Sequence, residues 1–422
     1  MFMEKTVCEL FAGVGGFRLG LEEASLDWRT VWFSQWEPGK KIQWAHDCYV
    51  SHWGDIDDKT GIDISEVDKA QIPNHTLLVG GFPCQNYSVA ASKSSRGIEG
   101  EKGVLWWQIR DILIAKRAPF VLLENVDRLL KSPASQRGRD FGMMLTCMAQ
   151  LGYRVEWRVI NAAEYGAAQR RRRVFIFAYN QGTNYADYMD NLEPLNIILK
   201  EGFFADAFLL DSIKSFKQSE VPYHDLSEKD VELFLNAGDV AGDNDLIEVS
   251  DNYQFLFENA GFMINGKIFT CKVEPKVEEP IKLGSVVIGN ADQKYSISED
   301  KMEKWVYMKG AKKIERTSRT GHSYVFSEGS IAFPDPLDKP SRTMLTSESS
   351  SNRSTHVIED PITNQLRLLT PVEAERLQGF KDDWTNTGMP EKFRYFCMGN
   401  ALVVPMITRM GKVLNKIIEA ED

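Results

Sequence analysis

Apolar and polar positions fall into short, recurring blocks along this chain. Thr6-Val7-Cys8-Glu9-Leu10-Phe11 is followed by Ala12-Gly13-Val14-Gly15-Gly16 and then by the amphipathic Phe17-Arg18-Leu19-Gly20-Leu21-Glu22-Glu23. That order predicts a short strand, a glycine turn and a helix, the opening βα unit of a nucleotide-binding fold. A second strand is read at Val31-Trp32-Phe33 and a third ending at Gly54-Asp55-Ile56. Leu77-Leu78-Val79 reads as a buried strand delivering Pro83-Cys84 into a cleft, and Phe120-Val121-Leu122-Leu123 as a parallel strand covered on both faces. Phe141, Met144, Leu145 and Met148 have helical spacing, and Gly152 can end that helix. Two more strands flank Gln169-Arg170-Arg171-Arg172-Arg173, at residues 153–160 and 174–178.

This alternation predicts an α/β fold with a doubly wound sheet, mixed and mostly parallel. After Tyr179 the rhythm is lost. Residues 181–366 read as a smaller, irregular α+β domain with strand-like runs such as 282–288. Regular order returns at Thr370-Pro371-Val372-Glu373, which has the residues of an N-cap, a first-turn proline and a reciprocal capping acid. Met406, Met410, Val413, Leu414 and Ile417 then line one face of a last helix that packs back on the first domain. The domains expected are therefore 1–180 with 367–422, and 181–366.

The net charge of −10, taken alone, counts against a polyanionic partner, but the charge is unevenly spread. Residues 301–322 carry seven Lys or Arg against two Glu, so a basic surface on an acidic protein stays open. The six cysteines form no CxxC pair and no Cys/His cluster, which argues against both a disulfide framework and a metal site. With neither a membrane-length apolar run nor an apolar N-terminal signal, a cytoplasmic location is expected.

Three positions invite chemistry. Cys84, after Gly81-Phe82-Pro83, is either a nucleophile or a small buried hydrophobe. Glu124 sits at the carboxyl end of its strand, where open α/β sheets place their sites. The arginine run 170–173 suits either a phosphate or an exposed surface. The glycine turn lacks the third glycine of a dinucleotide fingerprint, since Arg18 stands there, which disfavours a nicotinamide enzyme. Glu37 has the spacing of a ribose-binding acid and equally that of an exposed turn acid.

Phe11-Ala12-Gly13-Val14-Gly15-Gly16, Gly54-Asp55-Ile56, Pro83-Cys84-Gln85, Glu124-Asn125-Val126, Gln169-Arg170-Arg171 and Gly399-Asn400, in that order, resemble the DNA cytosine carbon-5 methyltransferases of prokaryotes and phages. The resemblance implies a Rossmann-like S-adenosylmethionine-dependent methyltransferase domain, with residues 181–366 as target-recognition domain. It implies Cys84 as nucleophile, Glu124 as proton donor to the base, and Arg171 and Arg173 as groups orienting it, Arg173 foremost. S-adenosylmethionine would be held by Phe11, Gly13, Gly15, Gly16, Glu37, Asp55, Ile56, Pro83, Asn400 and Ala401. Gln85, Ser88 and Asn125 would serve the substrate, and no metal is called for. Trp36 interrupts the usual approach to the ribose acid, which loosens the register at Glu37.

The partner implied is double-stranded DNA, with the target cytosine extruded from the stack. Residues 301–322 and 341–355 are the candidate contact surfaces. No membrane partner is expected, a cognate restriction endonuclease would be a genetic partner, and a monomer suffices for the chemistry. An RNA cytosine methyltransferase could use the same catalytic set, while a silent DNA-binding regulator would be expected to have lost part of it.

Overall fold

The computed structural model describes residues 3–82, 104–237, 243–318 and 321–421. Contacts divide the chain into two compact units, one of Met1–Asn161, Arg172–Val277 and Val404–Asp422, the other of Ala162–Arg171 and Glu278–Val403.

The first unit is built on a nine-stranded sheet in the order β2-β1-β3-β4-β6-β5-β8-β9-β7. β1 (Thr6–Leu10), β2 (Arg29–Phe33), β3 (Leu77–Gly81) and β4 (Phe120–Asn125) are parallel. From β4 onward every pairing is antiparallel, through β5 (Tyr153–Asn161), β6 (Arg172–Asn180), β7 (Leu210–Glu220), β8 (Ala260–Ile264) and β9 (Lys267–Pro275). The parallel half follows from the uninterrupted apolar runs. Leu77 to Val79 and Phe120 to Leu123 are fully buried, which an unbroken apolar strand requires and an alternating one would not tolerate.

Helix α1 (Gly16–Ala24) lies against the helix Val404–Glu419, whose Met406, Met410, Val413, Leu414 and Ile417 are buried as the spacing predicts. A β-carbon on Gly20 would fall 2.6 Å from Ile407 Cβ, so the two backbones approach closely only because that side chain is missing.

Three sequence expectations are revised. Gly54-Asp55-Ile56 is no strand. Gly54, at φ 79°, donates to Val50 O at 2.7 Å and ends the helix α2 (Trp44–Trp53), and Asp55 Oδ1 accepts Ile56 N–H at 2.9 Å in a local turn. Residues 282–288 contain a single helical turn, Leu283–Ser285, because the Ser285 and Val286 amides return to Lys282 and Leu283 and leave no ladder. The compact units also divide elsewhere than at 180 and 366, since β7, β8 and β9 extend the large sheet through the β5–β8 pairing.

The second unit has an apolar cluster of Ala168, Leu283, Val286, Ile358, Leu369 and Leu377, and further buried apolar side chains that include Trp305, Met344, Phe380, Trp384 and Met398. Buried ion pairs organise the rest. Arg367 links Asp360 at 2.8 Å with Glu373 at 2.7 Å, and Glu373 closes the capping box on Thr370 that starts the helix Pro371–Gln378. Removing one partner of such a pair strands a buried charge at a cost of about 3–5 kcal/mol. This unit also holds two hairpins, β10 (Lys312–Thr317) with β11 (Ser323–Glu328) and β12 (Val357–Glu359) with β13 (Leu366–Leu368). Among the described residues, no helix is long and apolar enough to cross a membrane.

Candidate active site

β1 delivers the chain into the glycine turn at its carboxyl end. Phe11 and Gly13 take left-handed conformations at φ 55° and 57°, and Gly15 follows at 84° before α1 begins. The turn is held from β2's end, by Ala12 N–H donating to Ser34 O at 2.9 Å and Gly13 N–H to Gln35 Oε1 at 2.7 Å. Among the described residues a β-carbon on Gly13 would meet nothing within 4 Å, whereas one on Gly15 would strike Trp53 at 2.2 Å. The glycines thus have different duties. Gly13 leaves open space over the turn, and Gly15 lets α1 start against α2.

Beneath the turn lies a polar chain. Glu9, fully buried, accepts Tyr49 O–H at 3.0 Å; Arg18 donates to Glu22 at 2.9 Å and stacks over Trp53. Burial pushes the Glu9 carboxyl up to about 7, against the lowering effects of Tyr49 and Arg18. Neither Glu9 nor Gln35 was singled out in the sequence. A polar side chain at a strand end beside a glycine turn is the signal that would have found Gln35.

Glu37 combines its two readings. It accepts the Ala45 amide at the start of α2, while its Oε2 is buried with no hydrogen-bond partner among the described residues. Burial raises its pKa. Asp55 is exposed, its Oδ1 accepting Thr60 Oγ1 at 2.7 Å, and Ile56 beside it is exposed.

β3 and β4 end together, with Gly81 paired to Glu124. A β-carbon on Gly81 would lie 3.2 Å from Glu124 Oε2, so this glycine makes room for the carboxylate. Arg173, on β6, brings its Nε to 2.7 Å from Glu124 Oε1; no N–H points along that line, and the contact is an ion pair without a hydrogen bond. Asn125 is buried and donates to Phe82 O at 2.8 Å while its Oδ1 accepts Val126 N–H. Both ends of its amide are bound to backbone, which suits holding the end of β3 rather than meeting substrate. Pro83, Cys84, Gln85 and Ser88 lie outside the described residues, immediately beyond Phe82.

The arginine run divides. Arg172 is exposed and reaches Asp127 at 3.2 Å, whereas Arg171 is buried in the second unit and donates to Met344 O at 3.2 Å and Gly399 O at 2.9 Å. A guanidinium so engaged fixes backbone and is not presented to a base, which corrects the orienting role expected of Arg171. Asn400 is exposed at the end of the helix Glu391–Asn400, and Ala401 N–H caps it on Cys397 O at 2.8 Å.

The family model of the C-5 cytosine-specific DNA methylases matches residues 5–416. The chain belongs to that family. It is 49% identical, over 97% of its length and 95% of the relative's, to the Type II methyltransferase M.Sau3AI of Staphylococcus aureus. To M.NlaIV of Neisseria lactamica it is 26% identical, over 96% and 97%. In fold it is similar to the Entamoeba histolytica methyltransferase EhMeth, with a TM-score of 0.57, 15% identity and 98% of both chains covered. This C-5 cytosine methylase is an S-adenosylmethionine-dependent enzyme acting on DNA, and the RNA alternative finds no support in these relatives.

The residues fit the cofactor. Glu37 Oε2, buried and without a hydrogen-bond partner among the described residues, is a free acceptor of the kind a ribose hydroxyl would need, and the space over Gly13 would let a ligand approach the turn backbone.

Proposed function

We propose that this methylase acts on a cytosine extruded from duplex DNA through a covalent bond to Cys84, with Glu124 and Arg173 holding the base. Carbon 5 of cytosine is a weak nucleophile. Attack of the Cys84 thiolate on carbon 6 forms an S–C bond and pushes an electron pair toward carbon 5, while Glu124, entering this step as the carboxylic acid, gives its proton to ring nitrogen 3. Arg173 would hold Glu124 by charge and, with its Nη1 donating to Arg172 O at 2.7 Å, take the base's carbonyl oxygen through an N–H of Nη2. When bound, S-adenosylmethionine supplies the methyl group that carbon 5 accepts. The carbon 5 proton then leaves to water, its electron pair reforms the ring double bond as the Cys84 thiolate is expelled, and ring nitrogen 3 returns its proton to Glu124.

The observation that carries this reading is the Glu124–Arg173 pair at 2.7 Å, beside the end of the strand that leads to Cys84. Phe11, Gly13, Gly15, Gly16, Glu37, Asp55 and Ile56 would bind the cofactor. The parts of Pro83, Asn400 and Ala401 in cofactor binding, and of Gln85 and Ser88 in substrate binding, rest on the sequence resemblance. Target recognition belongs, in this reading, to residues between 181 and 366, and the enzyme works as a cytoplasmic monomer, paired genetically with a restriction endonuclease.

The test is covalent trapping. With S-adenosylmethionine and duplex DNA carrying 5-fluorocytosine in place of cytosine, the wild type should form a denaturation-resistant adduct, because fluorine cannot leave as a proton does. Cys84→Ala should form none and should transfer no labelled methyl group to ordinary DNA. Equal incorporation by both proteins would sink the mechanism.

A further inference from the structure

Among the described residues the β10–β11 hairpin belongs to no larger sheet, each strand pairing only with the other, from Lys312↔Glu328 to Thr317↔Ser323. Its root is fixed. Arg353 donates to Met308 O at 2.8 Å and Gly310 O at 2.9 Å on the entering side and to Gly329 O on the leaving side. Lys309 gives its buried ammonium to Thr355 O, and its own carbonyl accepts Ile331 N–H at 2.9 Å. Beyond that clamp the ribbon is open to solvent.

Pairing sets the two faces. Ile314 and Phe326 share one face and are half-buried, with Arg316 stacked over Phe326 at 4.0 Å. Lys313, Glu315, Thr317, Ser323, Val325 and Ser327 share the other, and all six are exposed. An exposed face at this density of polar side chains is ordinary for an edge hairpin. What sets it apart is charge: residues 312–328 carry four Lys or Arg against two Glu, in a chain of net charge −10. A positive segment on an acidic protein complements a polyanion.

We infer that this ribbon enters the major groove of the DNA and that its Lys313/Glu315/Thr317 face reads base edges. The inference rests on the DNA methyltransferase reading above and deepens it. A two-stranded ribbon fits the major groove, whose width is about 12 Å, and strands of six residues span roughly 20 Å. The side chains match the groove's code. Lys313 can donate to guanine O6 and N7, Glu315 can accept from a cytosine amino group, Thr317 and Ser323 can pair with either kind of edge, and Val325 can rest on a thymine methyl. Lys312 and Arg316, on the opposite face, are placed for phosphates. Such contacts hold register without carrying sequence.

The experiment uses the full chain and a pool of duplexes randomised around a central cytosine, methylated with S-adenosylmethionine and read by bisulfite sequencing. Glu315→Gln and Thr317→Val should each relax the preference at one or two base positions by about tenfold or more, with S-adenosylmethionine affinity at the wild-type value. That unchanged affinity shows the variants fold. Unaltered base preferences overturn the proposal, and so does a loss of activity equal on every sequence, which would make the ribbon a phosphate contact only. A wild type that methylates no member of the pool would instead sink the underlying activity, and the ribbon's role with it.

Discussion

Replacing Glu9 by Gln isolates a proton that the fold should hold near neutral pH. Glu9 is fully buried on β1; Tyr49 O–H supplies one hydrogen bond at 3.0 Å and Oε1 has no partner among the described residues. Burial, the largest effect, moves its pKa from 4.5 to about 7; Tyr49 and Arg18 pull it down and Glu22 adds to the rise. The sign follows. An acid whose folded pKa is raised favours its neutral form in the native state, so its contribution is fully present below about 4.5 and is lost as pH climbs to about 7. At about 1.4 kcal/mol per pKa unit, the charged form costs roughly 3 kcal/mol above pH 7. Gln keeps an acceptor for Tyr49 and does not ionise. Urea unfolding of both proteins from pH 4 to pH 8 should show their stability difference moving by roughly 3 kcal/mol in favour of Glu9→Gln. Packing defects of the variant are constant in pH and cancel in that difference, as does Glu156, also pushed up to about 7 by burial. A difference flat across the range would refute the reasoning, since Glu9 would then ionise alike in both states.

Three shorter predictions concern the site. Gly15→Ala should destabilise by roughly 2–4 kcal/mol in denaturant melts, because its methyl group meets Trp53 and its φ of 84° suits glycine. Glu37→Gln should raise the Kd for S-adenosylmethionine about tenfold in calorimetry, through the weaker acceptor offered to a ribose hydroxyl, with the KM for DNA unchanged. Arg171→Lys should lower stability by roughly 2–4 kcal/mol, since one ammonium replaces a planar fork between Met344 O and Gly399 O. A variant that melts like wild type but binds DNA weakly would return Arg171 to the base.

What could be read from sequence was local. The glycine turn, the apolar runs of β3 and β4, and the capping box at Thr370 each declare themselves within a few residues, and each is present. What escaped depends on distant partners. β7 mixes half-buried and exposed positions, has none fully buried and includes Lys214 and Lys217, a pattern that an irregular segment also shows; only its pairing with β9, some fifty residues later, makes it a strand. Arg171 was read with its neighbours because sequence cannot show that its guanidinium meets carbonyls at 344 and 399. Asn125 looked like a substrate group for the same reason, its partner being the carbonyl of Phe82.

The Glu124–Arg173 pair owes its geometry to the reversal of one strand. Were β6 parallel to β4, its first residues would lie at the opposite edge of the sheet from Glu124. Running antiparallel, it starts where β4 ends, with Asn125 opposite Val174 and Glu124 opposite Phe175. Side chains directly opposite share a face, and residues two apart on one strand do too. Arg173 therefore lies on the face of Phe175, which is the face of Glu124, one diagonal step away. Gly81, paired to Glu124 on the other side, adds no side chain to that face. A slip of one residue in the β4–β6 register would turn Arg173 to the far side of the sheet and leave the carboxylate without its cation. The reversal thus explains why an acid at the end of one strand and an arginine at the start of another, nearly fifty residues apart, act as one group.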